Sequence, residues 1–183
     1  MKVSKPRLLL CFALLAVPAA QLGAFLVGPT ISIAFGTASI PVGGSTSLTF
    51  LIANPSGIAF TGIVVANTLP SGLIISTPNG LTGSCGGGTI TATAGSSAVS
   101  LSGATLAPST SCTFSVNVTG TSTGTQADTT GQIASDQTSE GPTANASIMV
   151  TPALPGTPAP SSLLLVALGI LAMLAWSRRH QAA

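Results

Sequence analysis

The run STSLTFLIANPSGIAFTGIVVANTLPSGL, residues 45–73, decides the fold class. Leu48, Phe50 and Ile52 fall on one face and Ser47 and Thr49 on the other, the period-two pattern of a half-buried strand. Asn54-Pro55-Ser56-Gly57 reads as a turn, followed by a second strand over 58–66. Because Ile63, Val64 and Val65 are consecutive, that strand is apolar on both faces, as expected nearer the centre of a sheet. Leu69-Pro70-Ser71-Gly72-Leu73 is the next turn. The rest of the chain completes this sheet, exports it or tethers it.

Outward from this run, residues 30–151 divide into seven to nine short strands separated by turn clusters. Ile31, Ile33 and Phe35 alternate first, and Ile40-Pro41-Val42-Gly43-Gly44 leads into the strand at Ser45. Beyond Leu73, Asn79-Gly80 and Gly86-Gly87-Gly88 mark turns. Ile90 and Ala92 alternate with threonines, and Val99 and Leu101 with serines. The cleanest strand is 112–119, with Cys112, Phe114, Val116 and Val118 on one side and Thr113, Ser115, Asn117 and Thr119 on the other. Residues 120–139 are polar, and Ala146, Ile148 and Val150 make a last strand. This spacing implies an all-β, antiparallel sandwich. With neither Tyr nor Trp in this region, Phe35, Phe50, Phe60 and Phe114 are all expected in the core.

Charge excludes several classes of function. Charged residues are 4% of the chain, against about 25% in ordinary soluble domains. Every basic side chain lies near an end: Lys2, Lys5 and Arg7 at the start, Arg178 and Arg179 at the finish. Between them stand only Asp128, Asp136 and Glu140. A middle without Lys or Arg has nothing to neutralise phosphates, so nucleic acid is not a partner. The abundant Ser, Thr and β-branched residues suit strands with hydroxyl-covered outer faces, and the scarcity of helix formers argues against a helical domain.

The two ends read as export and attachment. Residues 1–24 have the parts of a secretory signal peptide: a basic start, an apolar run over 8–17 too short to span a bilayer, and small residues around Ala19 and Ala24. An uncleaved anchor is the alternative. Cys11 goes with the signal, leaving Cys85 and Cys112 as an even pair in an exported chain and hence a disulfide. Closing that loop stabilises the fold by roughly 3–4 kcal/mol in the chain-entropy model. Pro152, Pro155, Pro158 and Pro160 make residues 152–162 an extended stalk. Residues 163–177 form one apolar, membrane-spanning helix at the lower limit of length. Arg178 and Arg179, in the basic tail 178–183, stay cytoplasmic under the positive-inside rule, so the domain lies outside.

Two resemblances follow from these residues. Ile40-Pro41-Val42-Gly43-Gly44-Ser45, Asn54-Pro55, Phe60-Thr61-Gly62-Ile63 and Asn67-Thr68-Leu69-Pro70-Ser71-Gly72-Leu73 stand in the order found in a bacterial surface-repeat module. Cys85-Gly86-Gly87-Gly88-Thr89-Ile90-Thr91-Ala92 and Ser111-Cys112-Thr113-Phe114 continue it, and residues 30–151 resemble the module known as domain of unknown function eleven. The resemblance implies an Ig-like sandwich in an exported or wall-associated protein, with no catalytic residues. Asn67 departs from it, standing where an aspartate is usual. The tail from Pro158-Ala159-Pro160 through Arg178-Arg179 is similar to PEP-CTERM sorting signals, which are handled by exosortases. Ala159 replaces their glutamate. Leu154-Pro155-Gly156-Thr157 also looks like the start of a sortase motif, with Pro158 in place of the glycine, and plain anchoring is the remaining alternative.

Catalysis needs titratable groups, and few are present. His180 lies beyond the membrane segment, so no Ser-His pair forms outside. Asp128, Asp136 and Glu140 occupy the turn-rich stretch and read as solvated loop acids; as carboxylates they are also the candidates for paired-acid hydrolysis or Ca²⁺ ligation, without EF-hand spacing. Gly86-Gly87-Gly88 lacks the lysine of a phosphate loop, and two cysteines alone make a poor metal site. The N-glycosylation sequons at Asn117 and Asn145 are of the kind that, in the bacterial source the resemblance implies, are usually accidental matches. No cofactor is implied. The expectation is a non-enzymatic structural or adhesive module on the cell envelope or matrix. The alternative is a module binding carbohydrate or a partner protein through loops at one end of the sandwich.

Overall fold

A computed structural model describes residues 27–138 and 140–153. The expected signal peptide 1–24, Pro158 and Pro160 of the expected stalk, the expected helix 163–177 and Arg178 and Arg179 lie outside the described residues. Among the described residues there are eleven strands: β1 (Thr30–Phe35), β2 (Ser39–Pro41), β3 (Ser45–Ala53), β4 (Phe60–Thr68), β5 (Leu73–Ile75), β6 (Thr82–Ser84), β7 (Thr89–Ala92), β8 (Ala98–Leu106), β9 (Ser111–Gly120), β10 (Gly124–Thr129) and β11 (Asn145–Thr151). The count exceeds the expected seven to nine because β2, β5 and β6 are three-residue pieces, too short to show a period.

One layer runs β1-β3-β9, with β5 and β6 pairing successive lengths of the far edge of β9. The other layer is built from β4-β8-β7 and β10-β11-β2. Bridges between Val64 and Ala134 and between Asn67 and Thr130 join these two groups, and the Gly131 N–H donates to the Ala66 carbonyl at 2.8 Å. Two sheets facing each other across one apolar core make a β-sandwich. The pairing is antiparallel throughout except β11–β2, which is parallel. The exception arises at Gly36–Ala38, where the chain leaves the first sheet after β1 and continues in the same direction as β2 in the second.

The stretch at 45–73 crosses between sheets. β3 pairs with β1 and β9, whereas β4 pairs with β8, so Asn54-Pro55-Ser56-Gly57 is an inter-sheet connection and not the hairpin turn of a single sheet. Asn54 fixes this connection from inside. It is 1% exposed, and its Nδ2 donates to the carbonyls of Ile58, Leu106 and Ala107 at 2.7, 3.1 and 3.0 Å. Its Oδ1 accepts from both the backbone and the hydroxyl of Ser56. β4 does sit inside its sheet, between β8 and the segment after β10, yet of the consecutive Ile63, Val64 and Val65 only Ile63 and Val65 face the core; Val64 faces outward and is 42% exposed.

The core follows the period-two register. Leu48, Phe50 and Ile52 of β3 and Phe114, Val116 and Val118 of β9 are buried. Phe50 and Phe114 are direct cross-strand partners whose rings stack at 4.8 Å between centroids, an arrangement that adds to simple area burial. Phe60 is buried from the opposite sheet. Phe35 departs from expectation. It faces the core but is only half-buried, because β1 ends there and the chain turns away at the rim.

Candidate functional site

Cys85 and Cys112 form a disulfide with their Cα atoms 4.9 Å apart. The local sequence dictates it. β6 pairs with β9 with Ser84 opposite Thr113, so the next residue on each strand, Cys85 and Cys112, come face to face. Cys85 is buried and Cys112 half-buried against the core, which makes the bond a staple at the core's edge. Gly86 then turns away with φ of 51°, and the Thr105 N–H donates to its carbonyl at 3.0 Å. A side chain there would meet the Thr105 backbone, so this glycine permits both the turn and the close approach to β8.

The three acids do not converge. Asp136 is exposed beside the start of β4, where its Oδ2 accepts from the Thr61 hydroxyl at 2.8 Å. The side chain of Gln137 completes this contact, accepting from the Thr61 N–H and donating to its hydroxyl, both at 2.9 Å. Glu140 is exposed on a shallow hollow that it shares with Val27, Thr30, Thr138 and Pro142. Among the described residues no three His, Cys, Asp or Glu side chains gather as metal ligands would.

Asp128 corrects the reading of the acids as solvated loop residues. It lies in β10, faces the core and is 0% exposed. Asn67, on the inward face of β4, is 2% exposed and donates from Nδ2 to Asp128 Oδ2 at 2.8 Å. The remaining side-chain oxygens, Asn67 Oδ1 and Asp128 Oδ1, are both buried and accept no hydrogen bond. Burial pushes the Asp128 carboxyl above its ordinary value of 3.8, against the weaker opposite pulls of Asn67 and of the Thr129 backbone. A signal for this placement exists in the sequence, but it is indirect. Gln126, Asp128 and Thr130 alternate without an apolar residue; only pairing with β11, where Asp128 stands opposite Ala146 and Gln126 opposite Ile148, turns them inward.

Fold and site together define a disulfide-stapled β-sandwich with a buried acid–amide pair in its core. The chain belongs to the DUF7933 family, a domain of unknown function whose model matches residues 29–150. Comparison with curated proteins gives no match. Among solved structures, the chain is similar to a cohesin module from a Clostridium perfringens family 33 glycoside hydrolase. The identity is 9% and the TM-score 0.50, over 69% of this chain and 99% of the module, a likeness of fold alone. Weaker likenesses reach the major pilin subunit BcpA of Bacillus cereus, at 12% identity and TM-score 0.49 over 68% of this chain and 40% of that one. They also reach a collagen-binding domain from a Staphylococcus aureus adhesin, at 10% identity and TM-score 0.46 over 65% of this chain and 96% of that domain.

Proposed function

We propose that the chain is an exported, non-catalytic surface protein, in which the sandwich serves as a structural or adhesive module of the cell envelope or extracellular matrix. The observation that carries this reading is the Cys85–Cys112 disulfide inside the fold, since such bonds form and persist in oxidising compartments. The dispersed acids support it further: Asp136 and Glu140 are exposed and apart, and Asp128 is sealed in the core, so they form no hydrolytic pair. The motif order shared with domain of unknown function eleven is consistent with this role. Attachment is assigned to the C-terminal segment, in which Pro158 and Pro160 precede the membrane helix and Arg178 and Arg179 hold its cytoplasmic end. An exosortase-type enzyme is the processing partner in this reading. A carbohydrate site receives little support, because Phe50, Phe60 and Phe114 are buried and Phe35 is half-buried, leaving no exposed phenylalanine platform among the described residues.

The intact mass of the protein from a cell-surface or matrix fraction, taken with and without reductant, tests the proposal. The expected species lacks the signal peptide and everything after about Pro160, and gains the mass of two hydrogen atoms on reduction. A full tail retained in the membrane fraction would replace sorting by plain anchoring. Recovery in the cytoplasm with free thiols would overturn surface display itself.

A further inference from the structure

Asp128 is the only carboxylate in any of the eleven strands. Its neighbours on β4, β10 and β11 include no other ionisable side chain, and the facing strands contribute only Cys112, which is disulfide-bonded. No lysine, arginine or histidine occurs between residues 8 and 177, so no cation within the sandwich is there to neutralise it. Asp136 is engaged with Thr61 at the opposite end of β4, about 20 Å along the strand from Asn67 at its ordinary rise. Glu140 is exposed on the hollow beside Thr30. An ionised Asp128 therefore has one amide donor on Oδ2, while its buried Oδ1 accepts no hydrogen bond. A buried carboxylate so placed is strongly disfavoured.

The two unpartnered atoms suggest how the site is satisfied. An amide and a carboxylic acid lying edge to edge form a ring of two hydrogen bonds, one donated by each group. The first, Asn67 Nδ2–H to Asp128 Oδ2, is present at 2.8 Å. The second needs a proton on Asp128 Oδ1, donated to Asn67 Oδ1, and those are the two buried oxygens left without partners. One proton taken from solvent satisfies both.

We propose that Asp128 is held as a neutral carboxylic acid that closes a cyclic pair with the Asn67 amide, joining β10 to β4, and that the sandwich weakens as alkali removes this proton. The sign follows from proton counting. In the unfolded chain the group ionises near its ordinary 3.8. Above that point the folded state binds one more proton than the unfolded state, so stability falls with rising pH. The unfolding equilibrium constant rises by up to tenfold per pH unit, about 1.4 kcal/mol, until the folded-state carboxyl also ionises, after which the contribution is flat. Below 3.8 the contribution is present in full. A cation bridging the two oxygens is the competing arrangement, but two ligands fall far short of the six to eight that Ca²⁺ takes.

Carboxyl-carbon NMR of the full chain tests the proton directly. The Asp128 resonance is expected to keep its protonated position at pH values where an exposed aspartate has ionised; titration at the ordinary value overturns the proposal. Urea unfolding as a function of pH tests its consequence, with Asp128→Asn as the comparison, since asparagine can close the same ring with its own amide and carries no titration. The wild-type midpoint should fall as pH rises from about 4 while that of D128N stays level. Parallel slopes would overturn the proposal. So would stabilisation by added Ca²⁺ that disappears in D128N, because the oxygens would then be ligands.

Discussion

Asn54 shows how one side chain determines a connection that looks generic. Its Nδ2 donates to carbonyls of the crossing itself and of the neighbouring end of β8, and its Oδ1 orders Ser56. Asn54→Ala removes the side-chain donor to the buried Leu106 carbonyl, while the Ile58 and Ala107 carbonyls keep the Ser56 and Thr110 hydroxyls, and we expect a loss of roughly 1–3 kcal/mol, read as a lower urea midpoint at unchanged m-value. A loss under about 0.5 kcal/mol would mean that water replaces the amide. Asn-Pro-Ser-Gly announces a turn in the sequence, but not that its asparagine points inward, since hairpins and inter-sheet crossings use the same turn residues. The same limit hid Asp128. A lone acid among threonines reads as solvated until a partner strand fixes which way it faces.

At the scale of strands, legibility followed contrast. β3, β7, β9 and β11 each bury one face and solvate the other, so their alternation of apolar with hydroxyl residues shows their register directly, whereas β8 alternates only on either side of the break at Ser102-Gly103. β10 lacks that contrast, because its inward residues are themselves polar. Strand ends are the other blind spot. Phe35 and Phe114 share inward parity, but β9 continues past Phe114 on both sides, whereas β1 stops at Phe35. The two should therefore differ in energy. Phe114→Ala removes a stacked, buried ring and is expected to cost about 3–5 kcal/mol, and Phe35→Ala, at the rim, less than half as much. Equal losses in paired denaturation curves would show that the rim is as tightly packed as the centre.

For the whole molecule, the sandwich class was legible because it depends only on many short strands with period two. The assignment of strands to sheets was not, because the crossings are set by long-range pairs such as β11 with β2 and Asn67 with Thr130. That parallel β11–β2 pair has a mechanical meaning. Thr30 enters at the end of the sandwich where β3 finishes, and Thr151 leaves beside Pro41, at the opposite end. Tension between the two ends therefore drags β2 and β11 past each other lengthwise, loading contacts such as Met149 N–H to Ala38 and Val42 N–H to Thr151 together instead of peeling them in turn. Single-molecule pulling from residues 29 and 152 should thus need more force than pulling from Pro41 and Thr151, and equal forces would count against the clamp. The cystine sets how far the released chain can then run. It withholds the 27 residues of its loop, so reductant should lengthen the extended molecule by roughly 100 Å at about 3.6 Å per residue. A protein built this way resists a pull along its length and, once yielding, gives up only part of its slack.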